Sequence, residues 1–274
     1  MRRTVVLVLL GVALVGCSAP SAAAPPAPTT VTPPSAEPQA RVLPIYYVAA
    51  TAAGPRLQRE FHRVTTTDPA SAAVREMLQV AAVDPDYRTY WPAGTALRSP
   101  VTVGSDAITV DLTTAATGAP AGTMAPEMSL QQLVFTVQGA SGSNLPVRVL
   151  VGGAPGERVL GGVPVSAPVP RGDVYALRSL VQIDSPAYGA VTPRDVVVTG
   201  EAAVFEATVH WEVRRGAAVV RTGYTSTSEG QVFAPFTFTV TLDPGEYEVR
   251  ISEDDPSDGG GRPVLTDTKT ITVS

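Results

Sequence analysis

An α+β domain, a small sheet carrying two helices, followed by an all-β sandwich is the fold class that the sequence predicts. Three observations predict it. Between residues 42 and 165, short apolar strands alternate with two segments whose apolar residues recur at helical spacing. From residue 177 onward the helical period disappears, and short strands follow one another between turns. Between the two lies GGVPVSAPVPRGD, residues 161–173, where proline and glycine cluster. The organisation read from this pattern is a leader at 1–16, a spacer at 17–41, a first domain at 42–165, a linker at 166–176 and a second domain at 177–274.

The leader begins with Arg2 and Arg3 and continues as an apolar run from Thr4 to Val15, short for a permanent span. It ends in Leu14-Val15-Gly16-Cys17, which resembles the lipobox of bacterial lipoproteins. That resemblance implies a diacylglyceryl group on the Cys17 sulfur and cleavage just before it. Two acyl chains hold a protein on a bilayer where one binds only marginally. The expected location is the outer face of the cytoplasmic membrane. Cys17 is the only cysteine, so a lipidated chain has no thiol left for a disulfide or a metal site. Removing residues 1–16 takes away two arginines and no acid, moving the net charge from -5 to -7. An acidic surface of this kind is a poor partner for nucleic acid.

Residues 18–41, SAPSAAAPPAPTTVTPPSAEPQAR, contain nothing large enough to build a core. Proline-rich chain extends at about 3.1 Å per residue, giving a reach of roughly 70 Å. Thr29, Thr30 and Thr32 could accept O-linked sugars, but a plain tether is the simpler reading.

In the first domain, LPIYYVAA (43–50) and LQREFHRVTT (57–66) read as a strand pair around Gly54-Pro55. Asp68-Pro69 supplies an N-cap and a proline at the first helical position. Val74, Met77, Leu78 and Ala81 then line one helix face, ending before Asp84-Pro85. ALRSPVTV and AITVDL meet at Gly104-Ser105 as two more strands. Leu130, Leu133, Val134 and Val137 mark a second helix, and PVRVLVGG (146–153) a closing strand paired with ERVLGG. Laying both helices on one face of a small sheet is the economical packing.

In the second domain the strands are SLVQID, DVVVTG, VFEATVHWEV, VVRTGYTS, FTFTVTL, EYEVRIS and TKTITV. Seven short strands in a segment this size suggest an immunoglobulin-like sandwich. Trp211, Phe205, Val209 and Tyr247 are the candidates for its core.

Particular stretches carry a family resemblance. IYYVA, AVREML, WPAGTALRSPVTVGSDAITVDLT, SLQQLVFTV and VRVLVGG resemble the GerMN domain of spore-formation and germination proteins. VQIDSPAYGAVTPRDVVVTGEAAVFEATVHWEV, PFTFTVTLDPGEYEVRI and DTKTITV resemble the Gmad-type immunoglobulin-like domain that accompanies GerMN in envelope lipoproteins. The order lipobox, proline-rich spacer, GerMN, immunoglobulin-like domain looks like lipoproteins of actinobacteria. The resemblance implies an envelope role connected with assembly, sporulation or the wall. It supplies no catalytic residue and no cofactor.

The residues themselves point the same way. His62 falls in a strand beside Arg59, Glu60 and Arg63, where a solvated position is expected, and His210 stands next to Trp211 facing away from the core. Neither has metal-ligand spacing. There is no Gly-x-Ser-x-Gly elbow, no credible Ser-x-x-Lys and no phosphate-binding loop. The acidic loop EDDPSDGGG offers Glu253, Asp254, Asp255 and Asp258 as weak calcium candidates, with a spacing unlike an EF-hand. Tyr90-Trp91-Pro92 places Trp91 beside a turn, either capping the core or stacking on a sugar or protein partner. The expectation is a non-enzymatic binding or assembly protein with an envelope protein or peptidoglycan as partner, with a wall-modifying enzyme of unrecognised site as the remaining alternative.

Overall fold

A computed structural model of the chain describes residues 37–122, 126–254 and 261–274. Residues from Glu37 to Ser274 form one compact unit. The leader, Cys17 and nearly all of the spacer lie outside the described residues, as do Asp255 and Asp258 of the acidic loop.

The first domain is built on a hairpin of β1 (Gln39–Thr51) and β2 (Gly54–Thr66), paired along their whole length across the two-residue loop Ala52-Ala53. Gln39 to Arg41, expected at the end of the spacer, pair with Thr66 to Val64 and so belong to the hairpin. A two-residue strand, β3 (Tyr87–Arg88), pairs on the other side of β1 at Val48 and Ala49. Helix α1 (Pro69–Gln79) starts where expected: the Asp68 carboxylate accepts from the Ser71 amide, and Pro69 needs no partner for a missing N–H.

A second sheet replaces the single sheet expected. It runs β4 (Thr102–Val103), β5 (Ile108–Leu112), β6 (Val147–Val151) and β7 (Ala154–Pro155). β5 and β6 are parallel, which requires a crossover, and α2 (Pro126–Ser141) supplies it. The expected pairing of ERVLGG with VRVLVGG does not form. Arg158–Val159 (β8) instead folds back on Val163–Pro164 (β9), because Leu160 and Gly161 turn the chain at positive φ. The helices also do more than cover one face. Both share a core with Ile45, Tyr47, Ile108, Val110, Val147 and Val149. The opposite side of α2 packs Phe135 and Met128 against Tyr46, Val48 and Leu57. Where β1 has no neighbouring strand, α2 takes over its pairing: Thr136 Oγ1 accepts from the Tyr46 amide at 3.0 Å and Gln132 Nε2 donates to the Tyr46 carbonyl at 2.9 Å. A buried strand edge is thereby satisfied by side chains.

The linker is not slack. Val169 exchanges backbone hydrogen bonds with Val147, Arg171 Nε donates to Gln138 Oε1, and Asp173 caps a short helix, α3 (Val174–Leu177).

The second domain is an immunoglobulin-like sandwich. One sheet orders β10 (Val181–Ser185), β12 (Asp195–Ala202) and β15 (Ala234–Thr241). The other orders β11 (Ala190–Thr192), β17 (Thr266–Val273), β16 (Gly245–Ser252), β13 (Thr208–Arg215) and β14 (Ala218–Ser226). The chain crosses between sheets after β10, and β11 pairs in parallel with the last strand. Alternation drives the packing: Val196, Val198, Val209, Val213, Val249, Ile251, Ile271 and Val273 fill the interior. Tyr247 is buried, and its hydroxyl donates to the Asp243 carbonyl at 2.9 Å, the tyrosine corner of this architecture.

Of the four expected core residues, Val209 and Tyr247 are buried and Trp211 is partly buried, stacked on Phe238 at 4.8 Å. Phe205 is 47% exposed. The strand expected from Val204 starts only at Thr208, because Glu206 and Ala207 adopt positive φ in a short turn that swings Phe205 outward. Trp211 lies across Gly223 on β14, where a Cβ would stand 2.3 Å from Cζ2 of the indole. Gly223→Val should therefore destabilise the protein by about 1–3 kcal/mol through overpacking, read as a lowered urea midpoint.

Candidate functional site

Most sequence-selected residues do not form a site. Trp91 is 4% exposed, and its indole donates to the Ser129 carbonyl at 3.1 Å, so its ring offers no face to a sugar or partner. Tyr90 is half-buried against the α2 side of the hairpin. Glu253 is engaged: both of its oxygens meet the Arg262 guanidinium, and one also accepts from the Leu265 amide at 2.7 Å. Asp254 is half-exposed, 3.6 Å from His210 Nε2. Among the described residues no cluster of three His, Cys, Asp or Glu could hold a metal. Also among them, no helix is long and apolar enough to cross a membrane.

His62 is not solvated. The side chain is largely buried between two carboxylates, with Nδ1 2.9 Å from Glu76 Oε2 and Nε2 3.0 Å from Glu60 Oε2. Bonds to Glu60 and Glu76 push its pKa above the ordinary histidine value against the opposing effect of burial. His210 is exposed on the outer face of its sheet, directly across from Tyr224, which is 75% exposed. Beside them a groove of about 420 Å³ is lined by Glu212, Arg214, Thr222, Arg250 and Ser252.

The chemistry that sequence reasoning missed lies between the domains. Lys269 on β17 extends its ammonium to Asp84 Oδ2 at 2.6 Å, the Tyr87 hydroxyl at 2.6 Å and Asp267 Oδ1 at 3.3 Å. Tyr87 in turn donates to Asp267 Oδ1 at 2.7 Å, and the other Asp267 oxygen accepts from the Ile183 amide at 2.7 Å. The side chains of Lys269, Asp84 and Asp267 are 4%, 2% and 3% exposed. Burial opposes the ammonium, but Asp267 and Asp84 outweigh it and raise the Lys269 pKa. Burial, with Asp267 and Asp84 nearby, raises Tyr87 far enough to keep it a donor.

A second set of contacts lies along β2. Arg59 grips Asp184 with two bonds, 3.0 and 2.7 Å, and reaches Glu201 at 3.1 Å, while Arg178 meets Glu201 at 2.8 Å. Burial works against Glu201, and the two arginines hold its carboxyl below the usual range. Backbone joins in: the Ser179 amide donates to the Leu57 carbonyl, and Gln182 Nε2 donates to the Arg59 carbonyl. Arg178 also stacks over Phe233, 3.9 Å from its centroid. The junction is hydrogen-bonded and charged.

One sequence signal could have found it. Lys269 is the only lysine in the chain. In TDTKTITV it shares a face with Asp267, Ile271 and Val273, the face that must be buried.

With this geometry in place, the family comparisons divide the chain at the same point. Residues 44–157 match the family described as "Sporulation and spore germination", and residues 180–260 match "Immunoglobulin-like domain of bacterial spore germination". The chain pairs a GerMN domain with a germination-type immunoglobulin-like domain. Among solved structures it is similar to the tandem GerMN domains of the sporulation protein GerM from Bacillus subtilis: 12% identity, 74% of this chain and 62% of that one, TM-score 0.38. It is also similar to a protein described as a candidate lipoprotein from Clostridium perfringens: 16% identity, 51% of this chain and 93% of that one, TM-score 0.33. The chain thus spans about three fifths of the GerM structure. No curated protein sequence matches it.

The junction between the GerMN and immunoglobulin-like domains yields a stability test. Lys269→Met leaves Asp84 and Asp267 buried without their counter-charge and should cost about 3–5 kcal/mol. Arg148→Met breaks a surface pair with Asp106 and should cost less than about 1 kcal/mol. Urea denaturation of both variants measures the contrast.

Proposed function

We propose that this protein is a lipid-anchored, non-enzymatic binding and assembly factor of the bacterial cell envelope, of the kind associated with sporulation and germination. Cys17 carries the diacylglyceryl anchor on the outer face of the cytoplasmic membrane, and residues 18–38 tether the folded part to it. The source is an actinobacterium, on the order of its modules and its alanine, proline and valine richness. The observation that carries the reading is the buried ionic junction. It joins the two domains into one body, and buried charge of this kind serves a fixed docking geometry better than it serves a reaction. A rigid body on a flexible tether can present one composite surface to an envelope protein within reach of the membrane.

A second reading is favoured by one observation. Tyr224 stands exposed beside the polar groove on the outer sheet face, an arrangement suited to stacking on a sugar ring of peptidoglycan.

Cys17→Ala should fold normally and leave the membrane fraction; its retention there would contradict the anchor. Photo-crosslinking and capture of the lipidated protein from native envelopes should recover a specific protein partner, while recovery equal to an anchor-only control would contradict the assembly reading. Co-sedimentation with purified cell wall separates the two readings. The assembly reading predicts little pelleting, and the glycan reading predicts pelleting that Tyr224→Ala abolishes.

A further inference from the structure

We propose that His62 is a proton-operated latch on the joint between the two domains, closed when its ring carries two protons and loosened when one is lost. A carboxylate can only accept hydrogen bonds. His62 faces one with each ring nitrogen, Glu76 from α1 at 2.9 Å and Glu60 from β2 at 3.0 Å. Both contacts are satisfied by the imidazolium. A neutral ring has one N–H, so one of the two carboxylates then faces a lone pair.

The consequence reaches the other domain through Glu60. Its oxygens also accept from the backbone amides of Val83, at 3.0 Å, and Asp84, at 2.7 Å. Asp84 is the residue that binds Lys269 of the immunoglobulin-like domain at 2.6 Å. An unbroken series of hydrogen bonds and one short loop therefore connects the His62 ring to the buried ammonium. Glu60 cannot turn away to relieve the contact without releasing the loop that presents Asp84.

The groups around the ring set the direction. Glu60 and Glu76 favour the charged form, and Tyr47 of β1 lies against the ring at 6.1 Å between centroids. Across a cleft of about 60 Å³ stand Lys269, Arg59, Asp184 and Tyr188; the two cations oppose protonation and Asp184 favours it. The two carboxylates in direct contact prevail, raising the His62 pKa above 6.5. A group raised on folding stabilises fully below its unfolded value, and that contribution is lost as pH rises through the folded one. On the acid side, burial works against Glu60, yet its bonds from His62 and the loop amides hold its carboxyl below the ordinary range. Its contribution persists until pH falls through that lowered value. The latch is therefore closed between the lowered Glu60 value and the raised His62 value, and loosens as pH rises through the latter.

The full-length protein in detergent tests this by two readouts. The chain has only two histidines, so NMR can follow the rings of His62 and His210 separately through a titration. Hydrogen exchange, corrected for its intrinsic pH dependence, follows the amides of 83–88 and 266–270. We expect His62 to titrate above 6.5 and protection of both segments to fall with the same midpoint. The loss should be about tenfold for each unit by which its pKa is raised. Glu76→Gln removes one carboxylate and should move both midpoints to lower pH together, while His62→Gln should flatten the exchange profile. Protection that stays constant through the His62 titration would overturn the proposal, as would a His62 midpoint at or below 6.5. The NMR spectrum of Glu76→Gln reports its folding independently, so the midpoint comparison stands even if His62→Gln does not fold.

Discussion

The Lys269 ammonium, held between Asp84 and Asp267 and capped by the Tyr87 hydroxyl, is the interaction on which the arrangement of this molecule depends. Removing two carboxylates and an ammonium from water costs several kcal/mol per ion, recovered only when geometry and hydrogen bonding are nearly complete. Here every oxygen of the cluster is bonded, although burial still raises the Asp267 carboxyl above the usual carboxylate range. Asp267 is bonded to Tyr87, Lys269 and the Ile183 and Thr268 amides, while Lys269 reaches three oxygens. Such a cluster is satisfied in a single docking pose. An apolar contact of the same area would tolerate sliding, and this one does not.

The rest of the junction is arranged around that constraint. Arg59, Asp184, Glu201 and Arg178 form a second, partly buried network on the flank of β2, and the start of the second domain lies against the same strand through the Leu57–Ser179 bond. The central hairpin is therefore shared: one face of β1 belongs to the α1–α2 core, and the open edge of β2 receives the second domain. The loop that carries Asp84 is in turn held by Glu60, and Glu60 by His62. Local charge on β2 thus bears on the joint through contacts of ordinary length.

Much of the fold was legible in the sequence because period and punctuation agree. The Asp68-Pro69 start of α1, the pairing of the first two strands and the closing strand at TKTITV each correspond to an observed element, although the first hairpin turns at Ala52-Ala53 and Gly54-Pro55 already lie in β2. What was not legible required knowledge of neighbours. The parallel pairing of β5 and β6 depends on a crossover that no local pattern announces. Phe205 reads as a core strand residue until the positive φ at Glu206 and Ala207 is seen. His62 reads as a solvated strand residue because Glu76, its second partner, sits fourteen residues away on a different element. Trp91 reads from the sequence either as a core cap or as a stacking residue, and its bond to Ser129, on a distant helix, decides for the core. Lys269 is the instructive case, a lone lysine on an apolar face, whose partners, Asp84 in a loop and Tyr87 in β3, lie more than 180 residues earlier.

The two domains are one cooperative body locked by buried charge. Each domain holds a single tryptophan, Trp91 in the first and Trp211 in the second, so Trp91→Phe and Trp211→Phe proteins each report the unfolding of one domain. Urea denaturation followed by fluorescence should give coincident midpoints and slopes for the two reporters. Separate transitions, with one domain unfolding while the other remains native, would show that the buried charge does not join them.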